Sequence, residues 1–169
     1  AIEDLAKFLR AGINVVSSGP VFLQYPYGTA DDMAKPVIEA AAEGGASIFV
    51  NGVDPGFAND WLPLVLTSVS ERIDEVRCLE VLNYATYDQP QVLFETMGFG
   101  QPMDATPLLL TPGTLAFAWG GTVRLLADGL GLQLDEIRQE FERRPAERAV
   151  TIGKRTVEPG TMGALRFEV

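Results

Sequence analysis

Asp54 is the side chain of this sequence best placed to do chemistry. It sits in the run Val50-Asn51-Gly52-Val53-Asp54-Pro55-Gly56-Phe57, directly after an apolar stretch and directly before a helix start. A strand that empties through an Asp-Pro-Gly turn into a helix N-terminus gathers backbone N–H groups that can hold an anion. A carboxylate in the same turn can orient a substrate ammonium. Asn51 lies three residues before the Asp, and Asn59-Asp60 follow shortly after it. The same residues also satisfy an ordinary turn prescription, with Asp first, Pro second and Gly next. Ser17-Ser18-Gly19 forms a second candidate, at the carboxyl end of a short apolar strand. Ligands of open α/β sheets bind beyond such strand ends, and small residues let a flat ring approach the backbone there. The alternative is a strand-to-loop turn that uses Ser for local hydrogen bonds. A third cluster, Asn83-Tyr84-Ala85-Thr86-Tyr87-Asp88, carries polar tips at five of six positions. Asn83, Tyr84 and Tyr87 are either pocket walls or ordinary aromatic packing.

What the chain lacks narrows the chemistry further. It contains no histidine and one cysteine, Cys78. That removes His-based acid–base catalysis, Ser-His-Asp triads and His-ligated zinc, so no metal site is expected. No Gly-x-Gly-x-x-Gly follows a strand, so the usual phosphate half of a dinucleotide site is missing from these 169 residues. The net charge of −10, with Lys and Arg scattered, argues against nucleic acid or an anionic membrane as partner. A single cysteine, no signal-peptide pattern and no apolar span of about 18 residues fit the cytoplasm.

The elements that must position these residues alternate at first. Ile2, Leu5, Ala6 and Leu9 form a helical stripe over residues 1–11 that stops at Gly12, and Ile13–Val16 read as a buried strand. The next helix has Pro36 in its first turn and Gly44-Gly45 at its end, followed by a strand over Ser47–Val50. Asn59 or Asp60 caps a third helix, whose first turn tolerates Pro63. Glu75–Tyr87 reads as a long strand with both faces apolar, and therefore covered on both sides by helices or another subunit. Thr111-Pro112 opens a long helix to about Asp128, with Leu115, Trp119, Val123, Leu126 and Leu130 at helical spacing. The Trp119 stripe is assigned to core or subunit interface. Gly120-Gly121 within it costs roughly 1 kcal/mol per Gly relative to Ala, which close approach by another backbone would offset. A charged helix over Leu134–Arg143 and a strand pair over Ala149–Val169, linked through Glu158-Pro159-Gly160, complete the reading.

The expected fold class is α/β. The last strand–helix units of a Rossmann-type domain (residues 1–57) run into an α+β domain with a mixed or antiparallel sheet (residues 58–169) for substrate binding and oligomerisation. Both ends read as cut from a longer chain.

Together, Val15-Val16-Ser17-Ser18-Gly19-Pro20, Gly52-Val53-Asp54-Pro55-Gly56-Phe57 and Glu80-Val81-Leu82-Asn83-Tyr84 resemble the dihydrodipicolinate-reductase-like amino-acid dehydrogenases, most closely the 2,4-diaminopentanoate dehydrogenase type. The resemblance runs across nearly the whole chain. It implies an NAD(P)-dependent oxidoreductase, using NADPH or NADH, that acts at an amine- or imine-bearing carbon of a small amino-acid-like substrate. It further implies that Ser17, Ser18 and Gly19 lie beside the nicotinamide ring, with Phe57 also facing the cofactor. Asp54 and Asn51 would be the catalytic pair, and Gly56, Asn83, Tyr84 and Tyr87 would contact substrate. A homodimer or homotetramer is expected. Dihydrodipicolinate reductases proper carry a His-His pair and a Lys near the turn, so lysine biosynthesis does not fit, and no proton donor is assigned. The family's Gly-rich strand-turn-helix is missing, so weak or no catalysis is expected of these residues alone. The competing reading is a non-catalytic binding or oligomerisation module with a dehydrogenase-like fold.

Overall fold

The computed structural model describes residues 2–169. They pack as two compact units, Ala1–Leu79 with Phe117–Ile137 and Glu80–Ala116 with Arg138–Val169.

The first unit opens with helix α1 (Ile2–Arg10), which has Glu3 and Asp4 in its first turn and Lys7 and Arg10 in its last. Those charges oppose the helix dipole at both ends. Gly12, at φ +77°, ends the turn as the sequence predicts. Strand β1 (Val15–Ser17) pairs in parallel with strand β2 (Ile48–Val50), in the register Val15↔Ile48 and Ser17↔Val50. Helix α2 (Asp31–Gly44) makes the crossover that a parallel pair requires. Ala6 and Leu9 of α1 interlock with Val37 and Ala40 of α2, and Val15 and Ile48 of the strands pack against this cluster. The other face of the pair is uncovered: Val16 and Phe49 are register partners and both are exposed.

Helix α2 starts earlier than the sequence suggests. Asp31 and Asp32 occupy its first turn and Pro36 lies inside it. An interior proline removes one N–H from the ladder. Eight further residues and the left-handed cap at Gly45 (φ 61°) carry the helix past that gap. Helix α3 (Trp61–Thr67) is short and has no buried residue, so its start rests on the Asp60 cap.

The strand expected over Glu75–Tyr87 does not form. Residues 75–83 have no ladder partner, and Leu79 and Val81 stand 87% and 84% exposed. Alternating apolar residues satisfy strand geometry, but a strand exists only where a second backbone supplies the hydrogen bonds. This stretch and α3 instead border an open groove of about 590 Å³, with Leu62, Leu66 and Cys78 in its wall.

Helix α4 (Thr114–Gly129) forms much as expected. A Cβ on Gly121 would stand 2.6 Å from the Tyr25 carbonyl oxygen, so the glycine admits the backbone of the 20s loop against the helix. The close approach anticipated from Gly120-Gly121 is therefore real. Phe22 stacks at a tilt on Phe117, with ring centres 5.2 Å apart, and Arg124 Nε donates to Thr29 Oγ1 at 2.9 Å.

In the second unit, strand β3 (Glu140–Pro145) pairs antiparallel with strand β6 (Met162–Glu168), while β4 (Val150–Ile152) and β5 (Arg155–Val157) form a separate hairpin. Two expectations fail here. The charged segment assigned to a helix over Leu134–Arg143 ends instead in β3, because Glu142 faces Arg166 across the ladder, a pairing invisible to local periodicity. The strand pair expected over Ala149–Val169 is really a tight hairpin turned at Gly153, plus a last strand that returns to β3. Leu93, Leu115 and Met162 are fully buried.

Mixed α/β structure with small antiparallel sheets is thus observed. Among the described residues no helix is long and apolar enough to cross a membrane, and no group of three His, Cys, Asp or Glu side chains could hold a metal ion.

Candidate functional site

The parallel pair brings two of the sequence-predicted loops together. Ser17 ends β1 and Asn51 follows β2, and the Asn51 N–H donates to the Ser17 carbonyl at 3.0 Å, extending the ladder one rung past the strands. The Ser17–Gly19 loop and the Asp54 turn therefore leave the same carboxyl edge, where α/β sheets place ligands. Both loops contain a cis X-Pro bond, at Gly19-Pro20 and Asp54-Pro55.

The first loop is held by Ser17, whose hydroxyl bonds the Gly19 carbonyl and accepts the Gly19 N–H at 3.2 Å. Ser18 is exposed, and the space where a Gly19 Cβ would stand is open. The loop thus offers a bare backbone surface.

The second loop is braced by a buried carboxylate. Asp60 is fully buried, and its Oδ2 accepts the Gly56 N–H at 2.7 Å while Oδ1 accepts the Trp61 N–H at 2.6 Å. One side chain therefore caps α3 and pins the turn that precedes it. Gly56 has φ +131° and presses on Gly52 and Asn51 so closely that a Cβ would overlap their backbone. The Asp-Pro-Gly spacing is consequently a backbone requirement as well as a chemical pattern. Phe57, by contrast, is 52% exposed.

Asp54 is half-buried and takes its hydrogen bond from an unexpected source, the Trp119 indole N–H, 3.0 Å from Oδ1. No described cation forms an ion pair with it. The field of Asp54 reaches Cys78, whose thiol is pushed above the usual range first by partial burial and then by the negative charges of Asp54 and Asp60. Cys78 Sγ lies 3.7 Å from the Asn59 carbonyl.

Asn83, Tyr84 and Tyr87 belong to the second unit. They do not close a strand. The Asn83 side chain accepts the Ala85 N–H at 3.0 Å and caps a 3₁₀ turn over Tyr84–Thr86. The Tyr84 ring lies 5.7 Å from that of Tyr87 and 6.0 Å from that of Phe99. Two residues of the Asp54 site have roles that the sequence reading does not assign. Asp60 had a signal as a helix cap, whereas Trp119 had only the helical stripe that marks it as core.

Comparison with known proteins finds relatives of one kind. No family model matches the chain. It is 42% identical to an amine dehydrogenase of Streptomyces virginiae, over all of this chain and 47% of that protein. It is 28% identical to a 2,4-diaminopentanoate dehydrogenase of Acetoanaerobium sticklandii, over 84% of this chain and 40% of the relative. The fold matches the structure of an amine dehydrogenase from Mycobacterium smegmatis with a TM-score of 0.80 and 18% identity, covering 99% of this chain and 49% of that one. The chain spans about half the length of the curated relatives it matches. Over that half, the chain is similar to amine dehydrogenase and 2,4-diaminopentanoate dehydrogenase.

Proposed function

We propose that this chain contributes to an NAD(P)-dependent oxidoreductase that acts at a nitrogen-bearing carbon of an amine or amino-acid-like substrate, with Asp54 as the carboxylate that orients the substrate ammonium. One observation carries the reading. At the carboxyl edge of a parallel pair, Asp54 is fixed through Oδ1 by a neutral donor and has no cationic partner among the described residues. Such a carboxylate attracts and orients a monocation. The names of the relatives support the same class of chemistry.

The residues present fit the ring end of a nicotinamide cofactor. Ser18 is exposed and nothing crowds the Gly19 Cα, so a flat ring could lie against that backbone. When bound, the cofactor supplies the hydride acceptor or donor. Ser17 and Gly19 would shape the ring's floor, and Asn51, tied to Ser17, would hold the two loops in register. Asp54 would orient the nitrogen, while the Gly56 and Phe57 backbone would border the substrate. On this reading residues 1–57 close a Rossmann-type domain and residues 58–169 serve substrate binding and assembly as a homodimer or homotetramer in the cytoplasm, with Asn83, Tyr84 and Tyr87 as pocket walls.

The test is Asp54→Ala in the intact protein, assayed with NAD⁺ and NADP⁺ against primary alkylamines and 2,4-diaminopentanoate. Turnover falls at least about tenfold, or about 1.4 kcal/mol, with the circular dichroism spectrum unchanged. Normal kinetics would reduce Asp54 to a turn residue.

A further inference from the structure

The Trp119–Asp54 hydrogen bond joins residues 65 positions apart, from the middle of α4 to the turn after β2. The choice of donor matters. An indole N–H donates one hydrogen bond, accepts none and carries no charge. A lysine or arginine in its place would neutralise the carboxylate and compete with any incoming cation. Tryptophan instead fixes one oxygen and leaves the full negative charge available. Among the described residues the Asp54 side chain makes no other hydrogen bond, and Oδ2 is not among the buried atoms left without a partner. The donor is itself rigidly placed: Gly121, two residues on, presses on the Tyr25 carbonyl, and Phe117, two residues before, stacks on Phe22.

We propose that Trp119 is a positioning residue, which by occupying Oδ1 aims Oδ2 of Asp54 as the single acceptor for a substrate ammonium. The proposal rests on the reading of Asp54 given above and adds the residue that sets its direction. A single-oxygen acceptor favours a primary amine, whose ammonium can turn one N–H toward it and keep the others for other contacts. A trialkylated ammonium offers one N–H and more bulk. Selectivity for primary over N,N-dimethylated amines is therefore a consequence.

Two measurements on the intact protein test this. The first is kinetic, with the amine that serves best in the panel above. Trp119→Phe keeps the ring bulk and removes the donor. It is expected to raise KM for the amine about five- to tenfold, leave KM for NAD(P)⁺ unchanged, and reduce the preference for the primary amine over its N,N-dimethyl analogue. Combined with Asp54→Ala, it adds no further loss, because the two act as one unit. Losses that add, or a KM for NAD(P)⁺ that rises in step, would make Trp119 a structural residue and overturn the proposal. If Asp54→Ala alone is kinetically silent, the reading of Asp54 fails and the proposal falls with it.

The second measurement holds even if Trp119→Phe does not fold. Trp61→Phe removes the other indole of these 169 residues, and the Trp119 indole N–H signal is assigned by through-bond correlation to its own side chain. In a ¹H–¹⁵N spectrum that signal moves upfield and exchanges faster in Asp54→Ala, and it shifts on titration with the same amine at concentrations near KM. A signal indifferent to Asp54→Ala would mean that the bond does not form. One that senses Asp54 but ignores saturating amine would separate Trp119 from substrate. Either result overturns the proposal.

Discussion

Replacing Asp60 by alanine should destabilise the first unit by about 2–4 kcal/mol. Asp60 is fully buried and both of its oxygens accept backbone N–H groups, from Gly56 at 2.7 Å and Trp61 at 2.6 Å. Loss of the cap on α3 costs about 1 kcal/mol, and the buried Gly56 N–H left without an acceptor costs a further 1–3 kcal/mol or so. Helix α3 cannot absorb the loss. It has seven residues, none of them buried, far short of the length at which an isolated helix is stable. Urea unfolding followed by tryptophan fluorescence reads this unit directly, since Trp61 and Trp119 both belong to it. With a slope of about 2 kcal/mol per molar urea, the midpoint falls by about 1–2 M at unchanged slope. Asp60→Asn keeps one acceptor and sets an NH₂ against the other N–H, so it should lose a substantial part of the same stability. A loss below about 0.5 kcal/mol in the alanine variant would refute the double role assigned to this carboxylate.

Two further outcomes follow from other contacts. Gly121→Ala drives a methyl toward the Tyr25 carbonyl, 2.6 Å away, and should cost about 1–3 kcal/mol despite alanine's better helix propensity, as a lowered melting temperature would show. Tyr25 donates its hydroxyl to Asp128, and that bond, then burial, then the charge of Asp128 push its pKa up to about 12. The bond is kept while the phenol stays protonated, so its contribution is complete below the ordinary tyrosine range near 10 and is lost as pH climbs from there through about 12. An ultraviolet titration should show a late tyrosinate step that moves toward 10 in Asp128→Asn.

The sequence yields elements where the signal is local and misleads where it depends on a distant partner. Glycines at 12 and 45 stop α1 and α2 because both positions have positive φ, which few other residues adopt. Asp60 caps α3 by reaching its own neighbour. The segment after Val76 alternates like a strand yet has no ladder, and Glu140–Pro145 is a strand because β6 lies beside it. Within the site, the Asp54 turn and the Ser17 loop are legible because strand ends and Asp-Pro-Gly spacing are local features. The Trp119 contact is not, since a helical stripe looks the same whether its tryptophan fills a core or holds a carboxylate.

The order in which the chain visits its two units has a consequence for its synthesis. It runs through Ala1–Leu79, crosses to Glu80–Ala116, returns for Phe117–Ile137 and leaves again for Arg138–Val169. Any single cut between Leu79 and Arg138 leaves at least one unit without part of its chain, so this polypeptide cannot be dissected into two halves that each fold. Nascent domains fold as they emerge, amino-terminal first. Here the first unit must wait, its Asp54 turn lacking the Trp119 donor, until the whole of Glu80–Ala116 has left the ribosome. During that interval Phe22 and the Tyr25 backbone, which α4 later packs against, are unshielded, which raises the demand on chaperones at this stage of translation.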